Sequence, residues 1–394
     1  MVDTANVKCP NCGGAGMRAF YETRGIPVHS CMMVDSERAA LEFPKRDLQL
    51  GFCERCGFVS NMVFDAAAQH YAAGYEEQQS FSPRFRKFQT ELIGDLVERY
   101  DLRGKDVVEI GCGKGDFLVE LCEAGDSRGV GIDPSCDPER MKGRGGGKVR
   151  FIAELYSQRH ADLPCDFLCC RHTLEHIHNT GEFIGQIRDV IGQTDALVFI
   201  EVPDVGRVLR EQAFWDIYYE HCSYYSLGSL ARVFRANRFD VIELAKDFDD
   251  QYLLIVARPT ADVTKPALTQ EDDLAQVKGE VDIFTQRIGE RIAGWRSCIG
   301  GLKEQGKRVA IWGSGSKCVS FLSTVGIADQ IDAVIDINPH RHGKYLAGSG
   351  KQVVAPETLK QSPADAILVM NPIYCDEIGQ QIESMGVQAE LIPA

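Results

Sequence analysis

Apolar runs of strand period and apolar stripes of helical period alternate along most of this chain. Residues 106–110 form a β-branched run that ends in glycines, and residues 116–122 then repeat apolar side chains at helical spacing. Further strand-like runs lie at 130–133, 149–152, 166–170 and 196–200, with a closing pair at 239–244 and 251–256. Between 85 and 100, Phe88, Leu92, Ile93, Leu96 and Val97 share one helical face, and 227–235 reads as another helix. The alternation predicts an α/β fold on a seven-stranded sheet. The stretch between Pro259 and Pro266 breaks the pattern and reads as a linker. Leu274, Val277, Val281, Phe284, Ile288, Ile292, Trp295 and Ile299 then recur at three and four, which predicts a long bridging helix over 274–302. A second α/β unit starts with a strand at 307–312, a glycine turn and a helix from Cys318, followed by runs at 333–336 and 366–370. The predicted division is 1–65, 66–260, 261–303 and 304–394.

The first glycine turn carries chemistry. Gly111, Gly113 and Gly115 let backbone pass close to a ligand, and the free N–H groups of the following helix face it. About twenty residues on, the second strand ends in Asp133, an acid placed to accept from ribose hydroxyls. A dinucleotide site wants G-x-G-x-x-G, whereas here Glu109 precedes a G-x-G-x-G. That pattern resembles motif I of class I S-adenosyl-L-methionine (SAM) methyltransferases. The resemblance implies a Rossmann-like methyltransferase core with an antiparallel seventh strand. It implies that Glu109 and the glycines face the methionine part of SAM and that Asp133 holds its ribose. It also places Glu154, after the third strand, near the adenine, and His172, after the fourth, among the cofactor contacts.

Composition narrows the class. At 394 residues the chain is too long for one core, and 44% hydrophobic with 25% charged residues is an ordinary globular balance. A net charge of −14 argues against nucleic acid as the main partner. No signal peptide and no membrane-spanning run are expected, so a cytoplasmic protein, monomeric or weakly dimeric, is the expectation. The 15 cysteines are then thiols or metal ligands rather than disulfides. Cys9 and Cys12 form one C-x-x-C knuckle and Cys53 and Cys56 another, with Gly57 allowing the sharp turn after the second. Four thiolates suit a closed tetrahedral site, which predicts structural zinc. Cys31, beside His29, lacks a paired neighbour and is not counted as a ligand.

Three clusters follow the third strand: His172 with Glu175 and His176; Glu201 with Asp204; and Tyr218, Glu220 and His221. Methyl transfer from a sulfonium needs an aligned nucleophile, and a carbon nucleophile also needs a base and donors for an enolate. Histidine is the ordinary base near neutral pH. Tyr218, Glu220 and His221 cannot share one helix face, so a turn is predicted there. The aromatic and polar segment 71–82, with Tyr75, reads as a cover for cofactor or substrate. Gly313, Gly315 and Lys317 form a turn able to cradle a phosphate.

In this order the motifs become specific. A four-cysteine module, Leu174-Glu-His176, the Y-x-E-H of Tyr218 to His221, Gly313-x-Gly315-x-Lys317 and Asp336 with Lys344 together resemble the C-methyltransferases of deoxysugar biosynthesis. These methylate C-3 of a nucleotide-linked 4-keto sugar. The resemblance implies that His221 is the base, that Tyr218, Glu220 and His176 assist, and that Tyr75, Gly313, Gly315, Lys317, Asp336 and Lys344 contact substrate. Segments 25–31 and 75–82 depart from the family pattern. An O- or N-methyltransferase on the same scaffold and a non-catalytic SAM- or nucleotide-binding assembly protein are the alternatives.

Overall fold

The computed structural model describes residues 7–69, 75–136 and 143–394. In chain order the first strands are β1 (Met17–Pro27), β2 (Lys45–Cys53) and β3 (Val59–Asn61), with helix α1 (Glu37–Leu41) between β1 and β2. They pair antiparallel in register Met17↔Cys53 and Phe52↔Val59. Helix α2 (Pro83–Arg99) starts at the Ser82 cap and buries the predicted face, Phe88, Leu92, Ile93, Leu96 and Val97.

The central unit runs β4 (Asp106–Ile110), α3 (Asp116–Gly125), β5 (Arg128–Ile132), β6 (Val149–Ile152), β7 (Phe167–Arg171), α4 (Thr180–Ile191), β8 (Leu197–Pro203) and α5 (Val205–Glu211). It continues with β9 (Ser223–Tyr224), α6 (Leu227–Ala236), β10 (Phe239–Asp247) and β11 (Tyr252–Pro259). Seven of these strands form one sheet in the order β10-β11-β8-β7-β4-β5-β6. All neighbours from β8 to β6 are parallel, and β11 inserts antiparallel between β8 and β10. The sheet order reverses at β4, so the C-terminal ends of β4, β5 and β7 open on one crevice, where such sheets bind ligands. This is the class I methyltransferase fold expected from motif I.

Strand β9 leaves the central unit. It pairs with β3 (Val59↔Tyr224, Ser60↔Ser223) and becomes the fourth strand of the N-terminal sheet. The stretch after Pro259 is held at both ends: Arg188 donates to the Thr260 carbonyl at 3.0 Å, while Asp240 accepts from Thr264 and Lys265 at 3.0 Å and Arg235 donates to Lys265 and Pro266 carbonyls at 2.9 Å.

Helix α7 (Leu274–Glu304) buries Val277, Val281, Phe284, Ile288, Trp295, Ile299 and Leu302. Each such side chain, fully buried, stabilises by about 1.5–3 kcal/mol. Phe284 meets Phe20 and Tyr21 of β1 edge-on, and Trp295 meets Trp215 and Phe321. One helix therefore packs against all three parts. The C-terminal unit is β12 (Val309–Trp312), α8 (Ser316–Val325), β13 (Ala333–Ile335), β14 (Val353–Val354), β15 (Ala366–Val369), α9 (Cys375–Ser384) and β16 (Glu390–Pro393). Its five strands are all parallel, in the order β14-β13-β12-β15-β16. Among the described residues no helix is long and apolar enough to cross a membrane.

Candidate active site

A single cavity of about 680 Å³ runs from the β4–α3 turn, past the ends of β7 and β8, to the β12–α8 turn. Its walls include Glu109, Gly111, Gly113, Gly115 and Asp133 at one end. His172, His176, Tyr218, His221 and Tyr75 stand along it, and Gly313, Gly315, Lys317 and Asp336 close the other end. Fourteen residues chosen from sequence thus share one space.

The β4–α3 turn needs its glycines. All three have left-handed φ, 71° at Gly111, 50° at Gly113 and 72° at Gly115. A Cβ on Gly111 would lie 1.9 Å from Thr173 Oγ1, and one on Gly113 2.6 Å from Glu77 Oε1. Asp133 accepts from the Gly113 N–H at 2.9 Å and from the Ser135 N–H at 2.6 Å, which ties the turn to the end of β5. Two buried carboxyls here keep an oxygen with no hydrogen-bond partner, Glu109 Oε2 and Glu77 Oε2. Burial pushes the Glu109 pKa up to about 8 and the Glu77 pKa up to about 7. Unpartnered buried acids beside a glycine turn fit a cationic ligand, and SAM carries an ammonium and a sulfonium. Glu77 belongs to a segment pinned from three sides. Gln78 donates to Asp116 at 2.6 Å, the Glu76 N–H to the Cys31 carbonyl at 3.1 Å, and Asn338 to Glu76 at 3.2 Å. Tyr71 of the predicted cover lies outside the described residues.

In the middle of the cavity three histidines, His172, His176 and His221, gather beside two acids, Glu175 and Glu201. His172, with φ 48°, lies 2.6 Å from Glu201 and 3.8 Å from Glu175. Burial opposes its charge, but Glu201 and Glu175 outweigh it and raise its pKa to about 9. Arg171 pairs with the same Glu201 at 2.9 Å, and this holds Glu201 ionised down to about 2 despite burial. His221 differs. Burial, then the nearby His176, His172 and Lys317, press its pKa well below the ordinary value. Its Nε2 lies 4.0 Å from Glu175 Oε1. Its ring meets His176 at 4.8 Å and Tyr218 at 4.1 Å. Tyr218 is held in its phenol form, first by burial and then by Asp216 and Glu220. The His221 N–H bonds to the Tyr218 carbonyl at 3.2 Å, which makes residues 218–221 the predicted turn.

At the far end Gly313 has φ 98°, while Gly315 caps α8 at φ −78°. Asp336 accepts from the Ser314 N–H at 2.8 Å and from its hydroxyl at 2.5 Å. Lys317 and Arg207 both pair with the buried Asp216. Arg341 donates to Ser314 Oγ at 3.2 Å and lies 3.5 Å from Asp336.

Three chosen residues stand off the cavity wall. Glu154 turns to Arg159 at 3.4 Å and His160 at 3.7 Å, because the chain after β6 bends outward, and the neighbouring Leu155 and Tyr156 line the cavity instead. Lys344 pairs with Asp35 at the surface. Glu220 is buried behind the wall, with His29 Nδ1 at 3.1 Å from one oxygen and the Ser30 N–H at 3.1 Å from the other. Sequence reading missed Glu77, Asp216, Arg207 and Arg341. Two of them carried a signal, Glu77 within the segment expected to cover a ligand and Asp216 within the 215–221 stretch that holds Tyr218 and His221.

The four knuckle cysteines gather where β2 ends, at Cys53 opposite Met17 of β1. Their Sγ atoms all lie within 4.8 Å of one another, with Cys9–Cys56 and Cys12–Cys53 both at 3.7 Å. A tetrahedral ion with arms of about 2.3 Å has sulfur–sulfur edges of about 3.8 Å, so the cluster fits zinc. The Gly13 and Gly57 N–H groups close the two knuckles onto the Cys9 and Cys53 carbonyls. Cys31 and His29 are not in this group; Cys31 lines the cavity, 3.2 Å from Ser316.

Residues 85–244 match the family described as a methyltransferase domain, and residues 256–392 that described as a C-methyltransferase C-terminal domain. The C-methyltransferase NovU of Streptomyces niveus is 26% identical over 392 residues, covering 94% of this chain and 91% of that protein. A Burkholderia thailandensis 1,6-didemethyltoxoflavin-N1-methyltransferase, solved with S-adenosylhomocysteine, is 19% identical; the match covers 45% of this chain and 81% of that one, with a TM-score of 0.35. A magnesium protoporphyrin IX methyltransferase of Synechocystis is 15% identical over 45% of this chain and 84% of that one, with a TM-score of 0.34.

Proposed function

Because the chain is a SAM-dependent methyltransferase that carries a C-methyltransferase C-terminal domain, we propose that it methylates a carbon next to a ketone, on a nucleotide-linked 4-keto sugar. The observation that carries the reading is the pairing of His221 with Tyr218 on the wall shared by both glycine turns. Bound SAM supplies an electrophilic methyl group. Glu109 and Glu77 meet its positive charge, the turn from Gly111 to Gly115 admits its backbone-close part, and Asp133 holds its ribose. Glu154 has no part in this contact.

His221 is neutral at pH 7 because burial and cationic neighbours lower its pKa. A ring nitrogen accepts the proton from the carbon that the ketone has acidified. Glu175, 4.0 Å from Nε2, offsets the charge that results. Tyr218 keeps its phenol proton and donates to the enolate oxygen, with His176 beside it as second donor. Glu220 assists from behind the wall. The turn at Gly313 and Gly315, with Lys317, Arg341 and Arg207, takes the diphosphate, and Asp336 holds that turn in shape. Tyr75 closes the sugar end. Lys344 lies too far out to share in this.

The test is deuterium exchange from solvent at the sugar carbon without SAM. Wild type exchanges, and His221→Ala, still folded and still binding SAM, loses exchange by about 10²–10⁴-fold. Transfer to an oxygen or nitrogen with no exchange at carbon overturns the proposal. In the same reading Cys9, Cys12, Cys53 and Cys56 hold structural zinc. Metal analysis should find one equivalent in wild type and none after Cys→Ser change at all four positions; unchanged zinc overturns that assignment.

A further inference from the structure

The turn that carries His221 has two faces. Tyr218 and His221 line the cavity. Tyr219 and Glu220, between them, point the other way and are gripped by the N-terminal module. The Tyr219 hydroxyl accepts from the Asp65 N–H at 2.8 Å. Both oxygens of Glu220 are taken by two consecutive residues: His29 Nδ1 lies 3.1 Å from Oε2, and the Ser30 N–H and hydroxyl reach Oε1. The His29 and Glu220 side chains are 5% and 0% exposed. Just past His221 the chain joins the N-terminal sheet, with the Asn61 N–H on the Cys222 carbonyl at 3.0 Å and β9 on β3.

From this we infer that His29 is a positioning residue of the catalytic turn, and that the N-terminal module is the jig that sets His221 and Tyr218 against the cavity. A carboxylate fixed at both oxygens cannot slide, and its backbone is the peptide next to His221. Burial opposes the charge of Glu220, but His29, His176 and Ser30 outweigh it and keep the anion. A buried anion held at both oxygens resists displacement, because any shift leaves a charge unpaired.

The inference rests on the proposed roles of His221 and Tyr218, and ring resonances separate the two claims because they need no substrate. In His29→Ala the imidazole resonances of His221 and His176 should move as they do in Glu220→Gln, and the double variant should add nothing further. Exchange at the sugar carbon should fall about tenfold to a hundredfold, as for a misplaced reacting group, while SAM affinity and zinc content stay at wild type. His29→Asn, which keeps a donor, should recover most of the loss. Ser30→Ala, a one-atom change with little risk to folding, should produce the same shifts with a smaller loss of exchange. Unmoved resonances in folded His29→Ala and Ser30→Ala overturn the jig even if exchange falls. Moved resonances without any exchange in wild type leave the jig standing and overturn the proposed reaction.

Discussion

The two glycine turns are built alike and finished differently. Each follows a parallel strand, opens a helix, and is tied by an acid at the end of the neighbouring strand: Asp133 to the Gly113 N–H at 2.9 Å, Asp336 to the Ser314 N–H at 2.8 Å. The first has three left-handed glycines in a row, and the second has left-handed Gly313 but extended Gly315. Around the first, buried acids keep unpartnered oxygens. Around the second, Lys317 and Arg207 are matched by Asp216, and Arg341 by Asp336, Ser314 and the Glu76 carbonyl, with the Nε atoms of Arg207 and Arg341 left over. One scaffold thus makes a socket short of positive charge and a cradle whose cations are already engaged. A ligand at the first turn satisfies groups that are otherwise stranded; a ligand at the second must compete with partners in place.

The largest expected difference is steric. Gly111→Ala forces a left-handed alanine, at about 1–2 kcal/mol, and drives its Cβ to 1.9 Å from Thr173 Oγ1. Calorimetry should show SAM affinity down by about a hundredfold or more, since the whole turn must move. Gly315→Ala, with φ −78° and Arg341 Nη1 at 3.5 Å, should leave both the fold and SAM affinity intact. Equal losses at the two sites would make the turns equivalent and break the comparison.

The next difference is electrostatic. Glu109 and Glu77 have pKa values raised from the ordinary 4.5 to about 8 and about 7 by burial. Stability contributed by their uncharged forms is fully present below pH 4.5 and is lost as pH rises through those values. A bound cation reverses that cost, because it favours the ionised forms. SAM affinity should therefore rise about tenfold from pH 6 to pH 8, and Glu109→Gln should flatten much of the rise. A flat profile in wild type would mean that the stranded oxygens face away from the charge of the donor.

What was legible in sequence follows the same division between local and distant. The seven runs, the glycine turn and the 274–302 stripe are local patterns, and the structure keeps each, with β5 running from Arg128 to Ile132 just short of Asp133, β7 shifted by one residue, and β8, β10 and β11 extended to Pro203, Asp247 and Pro259. The cysteine knuckles are local too, although their pairing spans 47 positions. The contacts that finish the cavity are not local. Lys317 meets Asp216 across 101 positions and His29 meets Glu220 across 191, and neither residue shows in its own neighbourhood what it will face. Strand β9 is two residues long and has no period to read. Glu154 and Lys344 were placed by analogy with other chains, and a bend after β6 and a surface pair with Asp35 set them apart. A motif fixes the backbone near it; which side chains close the site depends on elements folding back from elsewhere.

The smallest expected effect probes the cradle whose cations are engaged. Thymidine diphosphate serves as the probe, since it carries the anion without the sugar. Lys317 is half-buried, and desolvation lowers its pKa, while Asp216 holds the proton on; its charge is already partly spent. Lys317→Met should weaken thymidine diphosphate binding only about threefold, because the positive charge it removes is one that Asp216 already engages, and Asp216 then turns fully to Arg207. Asp216→Asn should act the other way. It frees Lys317 and leaves Arg207 to Glu211 alone, so the diphosphate should bind more tightly even as the protein loses thermal stability from two part-buried cations short of a partner. SAM affinity should not move in either variant. Opposite signs from the two changes would confirm that Asp216 is a stand-in for the anion of the ligand, held until a substrate displaces it. Weaker binding in both would mean that Asp216 instead shapes the cradle, and the second turn would then be as preformed as the first.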